Sequence, residues 1–191
     1  GPVMNFFRDN VALDYYSGGF DGPAEGLLLV HNTLVGTNLR DKIRIGASGK
    51  IVTAFDVART LAMGADWCNA ARGFMFALGC IQAQKCHTDR CPTGVATQDP
   101  SRQKALVVPD KAERVHQYHR HTLHALLELT QAAGLQHPAD FRAHHIVRRV
   151  SGNEVQLLSA LLKYRARRSA GRALPLSAIR TLLADGPGRP V

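Results

Sequence analysis

Cys80, Cys86 and Cys91 stand at C-x5-C-x4-C spacing within Gly79–Gln98, and Cys68 is the fourth cysteine of the chain. Thiolates are the usual ligands of iron–sulfur clusters, and a Cys-Pro pair such as Cys91-Pro92 recurs at the end of cluster-binding runs. The intervals are too wide for the paired C-x2-C of a zinc ribbon, yet Cys80, Cys86, Cys91 and His87 make a Cys3His set that zinc accepts. Three reduced cysteines on a loop are the third reading, and spacing alone leaves all three open. Clustering of the cysteines in one short region argues for a ligand set over a disulfide framework. Lys85 and Arg90 would offset part of the charge of a thiolate or cluster. Cys68, on a strand apart from the others, reads as a small packed residue.

A second chemistry is anion binding. Ala47-Ser48-Gly49-Lys50 and Ala71-Arg72-Gly73 each follow a short apolar stretch and precede a helical one. In (β/α)8 barrels the loops after the last strands often grip a phosphate with backbone N–H groups and a helix N-terminus. Gly49 and Gly73 allow close backbone approach, Ser48 adds a hydroxyl, Lys50 a charge, and Arg72 a bidentate guanidinium. Taken singly, either loop reads equally well as a plain turn with a surface cation. The histidines are less informative. His116, His119, His121 and His124 do not share one helical face, so they read as a hydrated surface, as do His144 and His145.

These residues need elements to position them. Pro23 and Glu25 suit the start of a helix that runs to Gly36, with Leu27, Leu28, Val30, Leu34 and Val35 as its apolar rows. Lys42–Gly46 alternates polar and apolar residues as a strand does. Thr53 and Asp56 form a capping box with Asp for Glu, opening a helix that ends at Gly64. Ala65–Asn69 is a second strand and Phe74–Leu78 a short helix, giving the strand–helix–strand order of a parallel unit. Residues 1–22 hold at most one further strand. Beyond Pro109, Val115, Tyr118, Thr122, Ala125, Leu126, Leu129 and Ala133 mark one face of a long helix stopped at Gly134. Further helices are predicted from about Pro138, over Asn153–Arg167, and at Leu176–Ala184 within a poorly ordered tail.

The chain has 191 residues, is 45% hydrophobic and carries a formal charge of +9. Residues 1–100 hold nine Lys/Arg against nine Asp/Glu, whereas residues 101–191 hold fifteen against six. The excess therefore belongs wholly to the second half, where Phe141 and Tyr164 are the only aromatics after Tyr118. Base-stacking platforms are scarce there, which argues against nucleic acid and for a solvated or subunit-facing basic surface. No run approaches the ~18 apolar residues of a membrane span, and no signal-peptide pattern opens the chain, so a cytoplasmic location without membrane contact is expected.

Leu39-Arg-Asp-Lys-Ile-Arg-Ile-Gly-Ala-Ser-Gly-Lys-Ile51, Gly64-Ala-Asp-Trp-Cys-Asn-Ala-Ala-Arg-Gly73 and the cysteine segment through Gln98 follow one another in the order and spacing of the FMN-binding glutamate synthase family. The resemblance covers residues 24 to about 100 and extends into Lys111–Arg149. It implies an α/β fold: the C-terminal part of a (β/α)8 TIM-type barrel, followed by an α-helical tail. By the same resemblance Ser48, Gly49, Lys50, Arg72 and Gly73 lie at or near the FMN phosphate, and Cys80, Cys86 and Cys91 match the ligands of a [3Fe–4S] cluster. The implied activity is that of an oxidoreductase reducing 2-iminoglutarate, formed from 2-oxoglutarate and ammonia, to L-glutamate. No catalytic residue is assigned.

The departures from the family divide the chain into an unmatched lead-in (1–22), a partial FMN-binding barrel with the cysteine segment (23–100), a helical extension (101–167) and a tail (168–191). The front of the barrel is missing. A fragment that is not catalytic alone is therefore expected, with a completing barrel subunit or an electron donor as partner. The alternatives are a non-catalytic iron–sulfur electron-transfer module and a basic binding module.

Overall fold

The computed structural model describes residues 10–13 and 23–162. Three strands form one parallel sheet in the order β1 (Asn10–Leu13), β2 (Arg44–Ser48), β3 (Trp67–Asn69). Helix α1 (Pro23–Gly36) joins the first pair and α2 (Ala54–Ala62) the second, so two successive strand–helix–strand crossovers build the sheet. This is the α/β class, and the further strand expected in the lead-in is β1. Its partner is β2, with Ala12 opposite Gly46.

Strand β2 runs two residues past the predicted end because Ala47 and Ser48 pair with Cys68 and Asn69. Ile45, fully buried, and Ala47 point into a core shared with Leu27, Leu34, Ala58 and Met63. At the N-terminal end of the strands the Asp66 carboxylate accepts the Ile45 N–H at 2.6 Å, while the Asp66 N–H donates to the Ile45 carbonyl at 2.7 Å. Arg40 reaches the same carboxylate at 2.8 Å.

After β3 come α3 (Ala71–Leu78), a 3-10 turn at Cys86–Thr88, the short α4 (Pro100–Gln103) and α5 (Val108–Ala132). Helix α5 lies against α2 and α3. Its inner face is the row from Val115 to Ala133 predicted from periodicity, with Leu126 and Thr130 buried, and the Thr130 hydroxyl donates to the Leu126 carbonyl at 2.7 Å.

Beyond α5 the helical expectation fails. Pro138–Asp140 is a 3-10 turn, and Val147–Arg149 (β4) pairs antiparallel with Val155–Leu157 (β5). The helix predicted over Asn153–Arg167 shrinks, among the described residues, to α6 (Leu158–Leu161). The reason is local: β-branched Val147, Val150 and Val155 flank a Ser-Gly-Asn turn, which favours a hairpin over a helix. The helix expected at Leu176–Ala184 and the ordering of the tail lie outside the described residues. No helix among the described residues is long and apolar enough to cross a membrane.

The capping box of α2 forms as its residues dictate. The Thr53 N–H donates to the Asp56 carboxylate at 2.9 Å, and the Asp56 N–H donates to the Thr53 hydroxyl at 3.2 Å. Burial works against the charged Asp56, but bonds from the Thr53 N–H and hydroxyl and from the Val52 N–H outweigh it and hold the carboxyl below its ordinary value. A depressed carboxyl stabilises the fold above its unfolded pKa and loses that contribution as pH falls through the folded value. Thr53→Ala is expected to cost about 1 kcal/mol in urea denaturation at pH 7. The deficit should shrink as pH is lowered below ~3.9, the ordinary aspartate value; a deficit constant with pH would show that the carboxylate is not part of the cap.

Candidate functional site

Because β2 and β3 are parallel and in register, Ser48 and Asn69 finish side by side, and the two anion loops leave the same end of the sheet. In the first loop Gly49 (φ 116°) and Lys50 (φ 50°) are both left-handed, a backbone turn that a glycine accepts freely. In the second, Ala70 is the N-cap of α3 and provides no side-chain hydrogen bond to the start of the helix. The polarity of a helix N-terminus favours an anion. Ser48 and Arg72 are half-buried and Lys50 is exposed.

One side chain that sequence reasoning used only as helix core joins these loops. Tyr118 of α5 donates its hydroxyl to the Val52 carbonyl at 2.7 Å. Its ring stands edge-on to Phe74 of α3 at 5.0 Å. It also explains Gly73: a Cβ there would come within 1.9 Å of the Tyr118 oxygen. Gly73, predicted to admit a phosphate, thus admits the tyrosine that fastens the start of α3 to the end of the first loop. Tyr118 and Val52 are 66 positions apart, and no local pattern links them.

The three cysteines follow α3 in a single looped segment. Gly79 ends the helix in a left-handed cap, and the Cys80 N–H donates back to the Met75 carbonyl at 3.0 Å. Cys86 opens the 3-10 turn and is exposed, whereas Cys91 is buried. Around Cys91 the chain curls tightly. The Thr93 hydroxyl lies 3.5 Å from Sγ, and that contact, with the N–H groups of Ala96, Thr93 and Val95, lowers the thiol to about 7. Hydrogen bonds directed at sulfur favour the thiolate that a metal or cluster requires. Cys68 differs: burial pushes its thiol up to about 12, in keeping with a packed residue.

The loop is held by its own polar groups. Thr97 donates to the Asp89 carboxylate at 3.0 Å, and Gln103 donates to the Thr97 carbonyl at 2.9 Å. Gly94 (φ 77°) has no room for a side chain, because a Cβ would sit 2.5 Å from the Arg102 carbonyl oxygen of α4. Among the described residues no three His, Cys, Asp or Glu side chains converge on a point where one metal ion would sit. A Cys3His zinc site needs such convergence, with ligands at ~2.0–2.3 Å from one ion. His87 is exposed beside Cys86. The four helix histidines are likewise exposed, as their spacing implied; His124 faces Glu128 at 3.6 Å and His119 tilts against Phe74.

Residues 22–136, well over half of the chain, match the family model described as the conserved region in glutamate synthase. The chain belongs to the glutamate synthase family. It is 46% identical over 123 residues to the glutamate synthase large subunit-like protein YerD of Bacillus subtilis, a match covering 64% of this chain and 23% of that protein. With the archaeal glutamate synthase [NADPH] of Methanocaldococcus jannaschii it shares 33% identity over 159 residues, 82% of this chain and 29% of the relative. The chain thus spans about a quarter of the length of these glutamate synthase relatives. Among solved structures, a mutant flavocytochrome b2 with pyruvate bound aligns over 100% of this chain and 38% of its own, at 16% identity and a TM-score of 0.46.

The contact at Gly73 yields a direct test. Gly73→Ala is expected to destabilise the protein by about 1–3 kcal/mol through overpacking against Tyr118, and Tyr118→Ala in the same chain should make the alanine at 73 nearly neutral. Thermal melts of the two single variants and the pair form the cycle; simple additivity would separate the two sites.

Proposed function

We propose that this chain carries the flavin-phosphate wall and the cluster loop of a glutamate synthase-type oxidoreductase acting in 2-oxoglutarate and glutamate chemistry. The observation that carries the reading is the alignment of the Ser48–Lys50 loop with the N-terminus of α3 at one end of a parallel sheet, held together by Tyr118. That arrangement suits a phosphate. In this reading Ser48, Gly49, Lys50 and Arg72 hold the FMN phosphate, while Gly73 serves by seating Tyr118.

Cys80, Cys86 and Cys91 would ligate a [3Fe–4S] cluster, and the donor set fits. Its three thiols share one continuous segment, and Cys91 is favoured as thiolate. Bound FMN and cluster would supply electron transfer. The protein's own part is to grip the phosphate, to direct N–H groups at the Cys91 sulfur and to keep the loop in shape through Asp89, Thr97 and Gly94. The three parallel strands among the described residues do not close an eight-stranded barrel. In this reading the remaining walls of the flavin pocket, the substrate contacts and the electron donor come from outside the described residues.

Anaerobic reconstitution with iron and sulfide should give broad absorption near ~400 nm with matching iron and sulfide contents. Cys86→Ser is expected to lose that absorption while its far-ultraviolet circular dichroism stays unchanged. Full iron retention in the variant would remove Cys86 from the ligand set. For the flavin, Arg72→Ala should weaken FMN binding by roughly tenfold, the scale of one charge-assisted hydrogen bond. Fluorescence titration reads this, and unchanged affinity would reduce the second loop to a turn.

A further inference from the structure

The opposite end of the sheet holds a cavity of about 740 Å³ that the flavin reading leaves unused. Its walls carry three guanidiniums, Arg40, Arg44 and Arg142, against one carboxylate, Asp66, with His31 and His144 beside them. Arg40 is part of the frame. Its Nε donates to His31 Nδ1 at 3.3 Å, one terminal nitrogen to the Ile43 carbonyl at 3.0 Å, and the other to the Gly64 carbonyl at 3.0 Å and to Asp66 at 2.8 Å. The single carboxylate is shared by Arg40 and, at longer range, Arg44, so three guanidiniums against one carboxylate leave an excess of positive charge.

Arg44 and Arg142 are the two guanidiniums with room to take a ligand. Arg44 is 72% exposed and touches Asp66 only at 3.4 Å. Arg142 donates one terminal nitrogen to the Ala139 and Phe141 carbonyls, at 2.7 and 2.8 Å. The cavity lining also includes apolar Val35, Leu61 and Phe141, and a concave wall carrying one sign of charge concentrates its field on a bound anion. His31 is held below its ordinary value by burial and then by Arg40, with Arg142 adding, and His145 by burial and then by His144 and Arg142.

We propose that this cavity binds a small multiply charged anion, bearing two or more carboxylate or phosphate groups, between Arg44 and Arg142. The guanidinium forks match either oxyanion in geometry, and the cavity volume lies in the range of small-molecule sites. The site is separated from the flavin-phosphate loops by the length of the strands, because Arg44 begins β2 and Ser48 ends it. Occupancy here is independent of FMN.

The test titrates the full chain by calorimetry with citrate, with inorganic pyrophosphate and with acetate, at constant ionic strength set by chloride. At least one of the first two should bind saturably with one site, and acetate should not. Citrate alone would assign the site to polycarboxylates, pyrophosphate alone to phosphate esters. Affinity should fall at least tenfold in Arg44→Gln/Arg142→Gln, fall partly in Arg44→Gln, whose exposed side chain is not needed for folding, and stay within twofold in Lys50→Gln/Arg72→Gln. No saturable binding of either polyanion overturns the proposal. So does binding lost in the Lys50/Arg72 variant and kept in Arg44→Gln, which would move the anion to the flavin-phosphate loops.

Discussion

The pairing of Asp66 with Ile45 is the constraint on which the arrangement rests. One residue offers its N–H to the Ile45 carbonyl and its carboxylate to the Ile45 N–H, and the same carboxylate anchors Arg40 from the loop between α1 and β2. This fixes β3 against β2 at their N-terminal ends. In a parallel pair, register set at one end is register everywhere, and a slip of one residue would turn Ala47 and Ser48 to opposite faces. The two anion loops therefore open side by side because a salt-bridged carboxylate at the far end of the sheet leaves no other alignment.

A second fastening, at the loop end, comes from α5. Tyr118 closes the gap between Val52 and Gly73 and stands edge-on to Phe74. The two fastenings divide the work: Asp66 sets which residues lie opposite, and Tyr118 sets how closely the loops approach. The cysteine segment inherits its position from both, since it begins at the C-terminal cap of α3.

What was legible in the sequence was local. The Thr53–Asp56 box, the left-handed Gly64 and Gly79, the inner row of α5 and the parallel strand–helix–strand order all follow from neighbours within a few positions. What escaped was set by distance. Gly73 had the type expected of a phosphate loop, yet its neighbour is a tyrosine 45 positions on. The spacing of Cys80, Cys86 and Cys91 left a cluster, a zinc ion and three unligated thiols all open; the Cys91 environment, built from Thr93 to Ala96, adds the preference for thiolate. The hairpin at β4 and β5 was missed for a different reason. Its signal, valines around Ser151-Gly152-Asn153, was present but outweighed by the leucines that follow.

The Tyr118 bridge also sets where the molecule can be divided. A chain cut after the cysteine loop would keep every residue of both anion loops, yet the Val52 carbonyl would lose its donor and Gly73 would border a tyrosine-shaped void. The apolar side of α2 that now rests on α5 would face water. By residue inventory the candidate site ends at Cys91; as a mechanical unit it extends a further two dozen residues and more, to Tyr118 of α5.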